Sequence, residues 1–335
     1  MKHLLNLIRK LPPETSHKVG LNGLKGLNKI GLLEKMFDFD STQEQHKVTL
    51  LNLDFKNRLG IAAGLDKNAE YVDELSKLGF GFVEVGTVTP RPQFGNKKPR
   101  VHRFQSQNAV INSLGFNNKG IDFMVNQIRD KKFDCILGVN IGPNKGSRGQ
   151  QRIDDYSECF SKVIEHTDYV TINISSPNTP ELRDLHEISE LEKVFNEINR
   201  IKKDKQINIP VLLKISPDED EKTLDLILDN IKSFDISGLI VSNTTIDKSV
   251  MKLNGLPDGG ISGKPLFKKS NKALRYISKF LNKQSQKQDN FVLIGVGGVF
   301  TKKDFDEKTE NGADLVQLYT GFIYEGPAVA RNILS

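Results

Sequence analysis

The sequence predicts an α/β protein, a (β/α)8 TIM barrel that carries a small amphipathic helical extension at its amino terminus. Eight short apolar runs alternate with eight helical patterns, without internal repetition or a linker. This alternation favours a closed barrel over an open doubly wound sheet. We expect two units, an amphipathic helical extension over residues 1–38 and the barrel over residues 39–335.

The predicted strands are short apolar runs of the kind that parallel sheets bury on both faces. They span residues 59–63, 82–86, 136–141, 169–174, 211–215, 238–242, 291–296 and 314–318. The helical patterns lie near 69–78, 119–131, 155–166, 189–203, 219–230, 267–281, 301–311 and 325–334. Asp66, Asp218 and Thr301 are predicted to cap, or nearly cap, three of these helices. Residues 47–57 are predicted to form a hairpin that closes the barrel floor.

Composition describes a globular protein with a large core, at 37% hydrophobic and 27% charged residues in a chain of 335. The two cysteines, Cys135 and Cys159, can form no disulfide framework and have no metal-ligand spacing. We therefore expect a reducing cytoplasm. The sequence also contains no HExxH motif and no histidine–cysteine cluster, so no catalytic metal is expected.

The amino-terminal extension carries most of the net charge of +6, because residues 1–35 contain seven Lys or Arg against two Glu. The near-neutral remainder argues against a nucleic-acid partner. Residues 3–9 and 16–33 have amphipathic helical spacing, interrupted at Pro12 and Pro13. Two compatible interpretations follow, a helical cap packed on the barrel and a helix pair on an anionic membrane surface. No run approaches the roughly 20 apolar residues of a membrane span, and no signal-peptide cleavage site follows the opening residues.

Unusual polar and glycine-rich segments follow all eight predicted strands, at the end of the barrel where such enzymes build their active sites. In chain order they are AAGLDKN, GTVTPRP, NIGPNKG, NISSPNTP, KISPD, SNTT, GVGG and YTGF. The glycine pair Gly297-Gly298 and the pair Thr320-Gly321 follow the last two strands, which is the usual phosphate site of this fold. A turn explains any one segment, but eight at the same end of the barrel indicate an active site.

The side chains in these segments suit a flat polar ring. Neutral amides offer a donor and an acceptor together, and Lys67 and Lys214 add positive charge for a carboxylate or for a cofactor ring that gains negative charge. The amides are Asn112, Asn117, Asn140, Asn173, Asn178 and Asn243. Ser176 has no triad partner at obvious spacing. By itself it fits a loop-capping serine better than a base.

Together these motifs resemble the dihydroorotate dehydrogenase family, in the same order from about residue 45 to the carboxyl end. The motifs are AAGLDKN, GTVTPRPQFGNKKPR, INSLGFNNKG, NIGPNK, NISSPNTPELR, SNTT, GGISGKPL, GVGG and LYTGF. The basic extension and the serine at position 176, where soluble class 1 members carry cysteine, resemble the membrane-associated, quinone-reducing class 2. The resemblance implies oxidation of (S)-dihydroorotate to orotate in pyrimidine (UMP) biosynthesis. Hydride would pass to FMN and electrons to a membrane quinone.

The resemblance also implies a role for each matching residue. Ser176 would be the base that removes the C5 proton while hydride leaves C6. FMN, one per chain, would be held by Ala63, Gly64, Leu65, Asp66, Lys67, Thr87, Asn140, Asn173, Lys214, Ser242, Gly263, Gly298, Tyr319 and Thr320. Dihydroorotate would be bound by Lys67, Asn112, Ser113, Leu114, Gly115, Phe116, Asn173, Asn178, Asn243 and Thr244. Ubiquinone or menaquinone would enter near His17, Arg103 and Tyr319.

The resemblance further implies a monomeric peripheral membrane protein at the cytoplasmic face of the inner (cell) membrane. Two residues depart from the family pattern: Ser242 replaces a threonine, and Pro143 stands where many relatives carry lysine. Three alternatives make different predictions. A soluble class 1 enzyme requires cysteine at 176. A Schiff-base aldolase would use Lys214 as its nucleophile, and a non-enzymatic flavin scaffold would be yellow without reacting with dihydroorotate.

Overall fold

The computed structural model describes residues 7–37, 46–175, 188–283 and 291–335. In chain order the strands β1 to β13 of this part are Val48–Leu50, Leu53–Phe55, Leu59–Ile61, Phe82–Val88, Val101–Phe104, Ala109–Asn112, Ile136–Ile141, Tyr169–Asn173, Val211–Ile215, Gly238–Val241, Gly260–Gly263, Val292–Val296 and Leu315–Leu318. The α-helices are Pro13–Lys29, Leu33–Phe37, Val72–Ser76, Ile121–Ile128, Gln150–Val163, Ile188–Lys205, Glu221–Asp229, Ile231–Phe234, Phe267–Lys283, Lys302–Glu310, Thr320–Glu325 and Val329–Leu334.

Eight parallel strands close into a barrel in the order β10-β12-β13-β3-β4-β7-β8-β9, which confirms the predicted fold. Helices surround the barrel, so its strands are buried on both faces, as in β4, where every residue is buried. One apolar cluster fills the space between strands and helices, and a second, with Phe82 and Tyr169, fills the barrel interior. The carboxyl ends of the strands therefore stand on a rigid base.

Two small sheets accompany the barrel. The predicted hairpin exists as β1 paired antiparallel with β2, and Leu51 and Phe55 pack into the interior cluster. A three-stranded antiparallel sheet, β11-β6-β5, was not predicted. Its strands are only four residues long; β5 and β6 form a local hairpin, whereas β11 comes from a separate insertion, so its pairing with β6 leaves no local pattern. This sheet pairs Gly260 with Asn112 and thereby joins two of the motif segments.

The predicted helix caps agree with the structure except at Asp218. Thr301 forms a complete capping box with Asp304, as predicted. Asp218 is not a cap, because Asp220 accepts the Thr223 N–H at 2.8 Å, whereas Asp218 accepts the Ile246 N–H at 2.9 Å. Asp66 is a near-cap, since it accepts backbone N–H groups of residues 68, 70 and 71 ahead of a short helix.

The last predicted helix, over 325–334, is wrong as a single continuous helix. The chain forms Thr320–Glu325 and Val329–Leu334, separated at Gly326 and Pro327. Gly326 has φ +76°, a backbone conformation outside the helix, and proline lacks the N–H that a continuous helix needs.

The amino-terminal extension packs on the barrel as a helical cap. Its helix begins at Pro13 rather than at residue 16, because proline suits the first helical position. Leu21, Leu24 and Leu33 are buried in the main cluster. Val19, Ile30, Leu32 and Met36 stay exposed, and of these Val19 and Met36 line a cavity between the extension and the barrel. None of the described helices has the length and apolar character needed to cross a membrane.

Candidate active site

A cleft at the carboxyl ends of the barrel strands, which we call the rim cleft, gathers most of the predicted site residues. It encloses about 980 Å³, including its open mouth. The predicted residues that line it are Ala63, Gly64, Lys67, Thr87, Asn112, Leu114, Gly115, Phe116, Asn173, Lys214, Ser242, Asn243, Thr244, Gly263, Gly298, Tyr319 and Thr320. Residues from all parts of the chain thus converge at one place.

Several predicted residues lie elsewhere. Leu65 and Asp66 line a second cavity, described below, and the Asp66 carboxylate is engaged by its own loop. Asn140 is fully buried beneath the rim cleft, and Ser113 lines neither cavity. The remaining predicted residues, Ser176 and Asn178, are outside the described residues.

One end of the rim cleft has the features of a phosphate cradle. Gly263 has φ +94°, and a Cβ there would lie 2.1 Å from the Asn108 carbonyl oxygen. Gly298 has φ +77°, and a Cβ there would lie 2.6 Å from Phe267. Both positions therefore require glycine and bring backbone close to the cleft. Thr320 begins a helix beside them, and its hydroxyl donates to Ser262 at 2.8 Å. Backbone N–H groups brought close by the two glycines, together with the start of a helix, are donors that suit a phosphate.

The amide side chains are fixed by hydrogen bonds from neighbouring strands. Asn173 Nδ2 donates to Thr87 Oγ1 at 2.9 Å, and Thr87 Oγ1 donates to Asn140 Oδ1 at 2.5 Å. Asn243 Nδ2 donates to the backbone oxygen of Ser175 at 3.1 Å. Pre-set amides of this kind suit a ring with alternating carbonyl and N–H groups. Ser175, which the sequence analysis did not single out, thus helps to orient Asn243.

Two lysines supply positive charge to the rim cleft, Lys214 buried and Lys67 partly buried. Burial, and next the positive charge of Arg100, lower the pKa of Lys67 to about 8. Burial also lowers the pKa of Lys214, an effect that the negative charge of Glu84 opposes. Glu84 was missed by the sequence analysis, where it stood inside an apolar run. A carboxylate in the middle of a buried strand was the signal that could have found it.

The two residues that depart from the family pattern lie in different surroundings. Ser242 lines the rim cleft, and its hydroxyl donates to the Asn243 backbone oxygen at 3.1 Å. Pro143 is buried and lines neither cavity. The hydroxyl at 242 is thus retained where the site needs it.

The second cavity lies between the amino-terminal extension and the barrel. It encloses about 2440 Å³, including its open mouth. His17, Arg103 and Tyr319, the three residues named for the quinone site, all line it. Burial, and next the charge of Lys67, lower the pKa of His17 to about 4. The two cavities share a wall formed by Gly64, Lys67, Leu114 and Tyr319.

Ion pairs hold the extension over this cavity. Arg100 contacts Glu14 at 2.8 Å, and Lys98 reaches the same carboxylate at 3.4 Å. Arg103 Nη1 donates to Ser16 Oγ at 3.2 Å. The cavity is therefore bounded by the helix Pro13–Lys29 on one side and by the strand β5 region on the other.

Comparison with known proteins agrees with this geometry. The family model described as dihydroorotate dehydrogenase matches residues 45–335. A relative from Christiangramia forsetii, named dihydroorotate dehydrogenase (quinone), is 41% identical over 97% of this chain and 94% of its own. A relative of the same name from Bartonella tribocorum is 44% identical, covering 97% of this chain and 88% of its own.

Solved structures show the same fold. The structure of the Eimeria tenella dihydroorotate dehydrogenase in complex with ferulenol superposes with a TM-score of 0.84 at 32% identity, covering 96% of this chain and 89% of that one. The ligand-free form from the same organism gives a TM-score of 0.82 at 33% identity. The chain therefore belongs to the dihydroorotate dehydrogenase family.

Proposed function

We propose that the chain oxidises (S)-dihydroorotate to orotate in pyrimidine (UMP) biosynthesis, with FMN bound in the rim cleft and a membrane quinone as the electron acceptor. The observation that carries this proposal is the convergence of a phosphate cradle, fixed amides and two lysines in one cleft. That cleft shares a wall with a large cavity under the amino-terminal extension. Names of relatives at about 40% identity support the quinone as acceptor.

FMN would supply a hydride acceptor that can release electrons to a quinone. Gly263, Gly298 and Thr320 would hold its phosphate, and Lys214 would lie beside its ring. The other residues proposed to hold it are Ala63, Gly64, Leu65, Asp66, Lys67, Thr87, Asn140, Asn173, Ser242 and Tyr319. Of these, Leu65, Asp66 and Asn140 would act through backbone or neighbouring groups, since their side chains do not line the rim cleft.

Dihydroorotate would be oriented by charge and amides. The ammonium group of Lys67 would bind its carboxylate, while Asn112, Asn173 and Asn243 would pair with ring carbonyl and N–H groups. Ser113, Leu114, Gly115, Phe116, Asn178 and Thr244 complete the proposed substrate site. Ser176 would take the proton from C5. A serine can serve here because hydride departs from the adjacent carbon at the same site.

Ubiquinone or menaquinone would occupy the second cavity, near His17, Arg103 and Tyr319. The extension over residues 1–38 would then form both a cover for this cavity and the contact with an anionic membrane surface, and residues 39–335 would form the catalytic unit. Exposed apolar side chains together with lysines are typical of helices that lie on a bilayer. We infer a monomeric peripheral protein on the cytoplasmic face of the inner membrane, without a nucleic-acid partner.

The experiment is a stoichiometric assay. Purified protein is supplied with FMN, dihydroorotate and a soluble ubiquinone or menaquinone analogue, and orotate and quinol are both quantified. We expect equal amounts of the two products, and none when either substrate is omitted. Fumarate or NAD⁺ serves as the control acceptor. Orotate formation with these acceptors but not with quinone would contradict the proposal and favour a class 1 enzyme.

A further inference from the structure

Glu84 is a carboxylate buried inside the barrel. It lies in the middle of β4 and is 0% exposed. Its neighbours Val83 and Val85 belong to the cluster between strands and helices, whereas Phe82 belongs to the interior cluster. Because side chains alternate along a strand, Glu84 points into the barrel with Phe82. Burying a carboxylate is unfavourable unless it is paired and hydrogen-bonded, so its surroundings must compensate.

Groups from three other strands compensate that cost. Asn140 Nδ2 and Gln317 Nε2 each donate to Glu84 at 2.9 Å. Tyr169 OH donates at 3.2 Å and Thr171 Oγ1 at 3.3 Å. The carboxylate is therefore fixed in position beneath the rim cleft by β7, β8 and β13.

The charge partner of Glu84 is Lys214, whose Nζ lies 3.8 Å from Glu84 Oε1. Lys214 is itself only 5% exposed, and it lines the rim cleft. Burial favours the neutral amine and the negative charge of Glu84 favours the ammonium ion. Lys214 thus depends on Glu84 to remain charged in the cleft.

Glu84 also sets the direction of the amide chain above it. An ionised carboxylate only accepts hydrogen bonds, so Asn140 must turn its NH2 group toward Glu84 and its oxygen toward Thr87. The Thr87 hydroxyl then donates to Asn140 and accepts from Asn173. One buried charge in this way fixes the donor and acceptor order of three side chains that lead to the cleft.

We propose that Glu84 is a positioning residue that keeps Lys214 charged and directed into the rim cleft, and thereby sets the reduction potential of the flavin bound there. The inference rests on the proposed function, because it assumes FMN beside Lys214. A charge held close to a flavin ring changes the stability of its reduced, anionic form. Glu84 touches neither substrate nor cofactor in this account and acts only through Lys214 and Asn140.

The test measures the reduction potential of bound FMN between pH 6 and pH 10 in the wild type and in Glu84→Gln. The potential is obtained by titration with a chemical reductant, so that dihydroorotate is not needed. In Glu84→Gln, Lys214 should lose its proton at a lower pH than in the wild type. This loss produces a break, which is a new change of slope in the plot of reduction potential against pH. Glu84→Gln/Lys214→Met should remove that break.

Two variants control for general damage. Tyr169→Phe removes one hydrogen bond to Glu84 but keeps the charge, so its profile should match the wild type. Glu84→Asp keeps the charge and should lack the break of Glu84→Gln. A Glu84→Gln profile that superimposes on the wild type would overturn the inference. Loss of FMN binding or of dihydroorotate-dependent reduction in the wild type would instead overturn the proposed function.

Folding offers a second measurement if Glu84→Gln alone yields no folded protein. The thermal midpoints of Lys214→Met and of the double variant are then compared. Recovery of folding in the double variant supports the inference, since it shows that the unpaired Lys214 charge caused the damage. A double variant that stays unfolded while Lys214→Met folds would contradict it.

Discussion

At the scale of single residues, Lys67 joins the two cavities. It lines both, and its Nζ donates to the Gly64 carbonyl oxygen in the wall between them. Burial and the nearby charge of Arg100 lower its pKa to about 8, so its charge is lost as the pH rises through about 8. A substrate carboxylate held by Lys67 would make affinity depend on that charge.

This dependence gives the first prediction. The protonated lysine is the binding form, so the apparent Kd for dihydroorotate should rise about tenfold per pH unit above pH 8. Because dihydroorotate would reduce the oxidised protein, binding is measured with orotate, which carries the same carboxylate and cannot reduce the flavin, by titration of the oxidised protein between pH 7 and pH 9.5. Lys67→Arg, which keeps its charge throughout, should show no such rise. A wild-type profile that stays flat up to pH 9.5 would remove Lys67 from carboxylate binding.

Ser176 gives the second prediction. Ser176→Ala should retain bound FMN, yet dihydroorotate should reduce it about 10² to 10⁴ times more slowly, the usual contribution of a positioned base. Stopped-flow absorbance under anaerobic conditions measures this rate. Ser175→Ala is the control variant at the neighbouring residue, because the Ser175 side chain contacts Asn173 and Asn243 and is not the proposed base. Equal rates in the wild type and in Ser176→Ala would show that another group removes the proton.

Sequence motifs predicted most residues of the rim cleft, because contiguous segments after strands stay together at the carboxyl ends. They could not separate residues that line the cleft from those behind it. Asn140 and Asp66 occur in the same segments as true lining residues, but their side chains turn toward the barrel interior and toward their own loop. Glu84 escaped notice because its function depends on strands distant in sequence, including Gln317.

At the scale of secondary structure elements, the packing of the helix Pro13–Lys29 on the barrel favours a neutral His17. Burial lowers the pKa of His17 from its ordinary value near 6.5 to about 4, so the folded protein keeps it neutral. Between pH 6.5 and pH 4 the unfolded chain binds a proton that the folded chain does not. Stability should therefore fall as pH decreases through this window.

The third prediction follows from that linkage. His17→Gln, which cannot take up the proton, should lose less stability than the wild type on going from pH 7 to pH 4.5, by about 1 to 3 kcal/mol. Urea unfolding at a series of pH values measures the difference. His166→Gln, far from the extension in sequence and fold, should behave like the wild type. Parallel pH curves for the wild type and His17→Gln would contradict the linkage.

The elements that sequence predicted correctly are those with local signals. Eight buried strands have continuous apolar runs, and Thr301 with Asp304 forms a recognisable capping box. In the three-stranded sheet β11-β6-β5, β5 and β6 pair locally over residues 101–112, but the pairing of β11 with β6 has no local signal, because it joins residues about 150 positions apart. The misplaced cap at Asp218 arose because two aspartates stand within three residues, and only tertiary contacts with Thr245 and Lys269 decide between them.

At the scale of the whole molecule, the extension and the barrel enclose the second cavity together. Leu21, Leu24, Leu33 and Phe37 of the extension are buried against the barrel. The rim cleft, by contrast, is lined by barrel residues alone. On the proposed assignment of the two cavities, the two half-reactions would be separated in space, and they should be separable by truncation.

Deletion of residues 1–38 is the fourth prediction. The truncated protein should still be bleached by dihydroorotate, but it should lose quinone reduction and binding to anionic vesicles. Flavin absorbance, quinol formation and vesicle sedimentation measure the three properties. The full-length variant Lys10→Glu/Lys29→Glu is the control. It should weaken vesicle binding while a soluble quinone analogue is still reduced, because both lysines are exposed. Full quinone reduction by the truncated protein would place the acceptor site elsewhere.

The most direct measurement is the visible spectrum of the purified protein under anaerobic conditions. We predict a flavin spectrum with about one FMN per chain, which dihydroorotate bleaches and which a ubiquinone or menaquinone analogue then restores. Protein that binds FMN but keeps its colour with dihydroorotate, or that takes up no FMN when it is supplied, would contradict the assignment of the rim cleft as a dihydroorotate-oxidising flavin site.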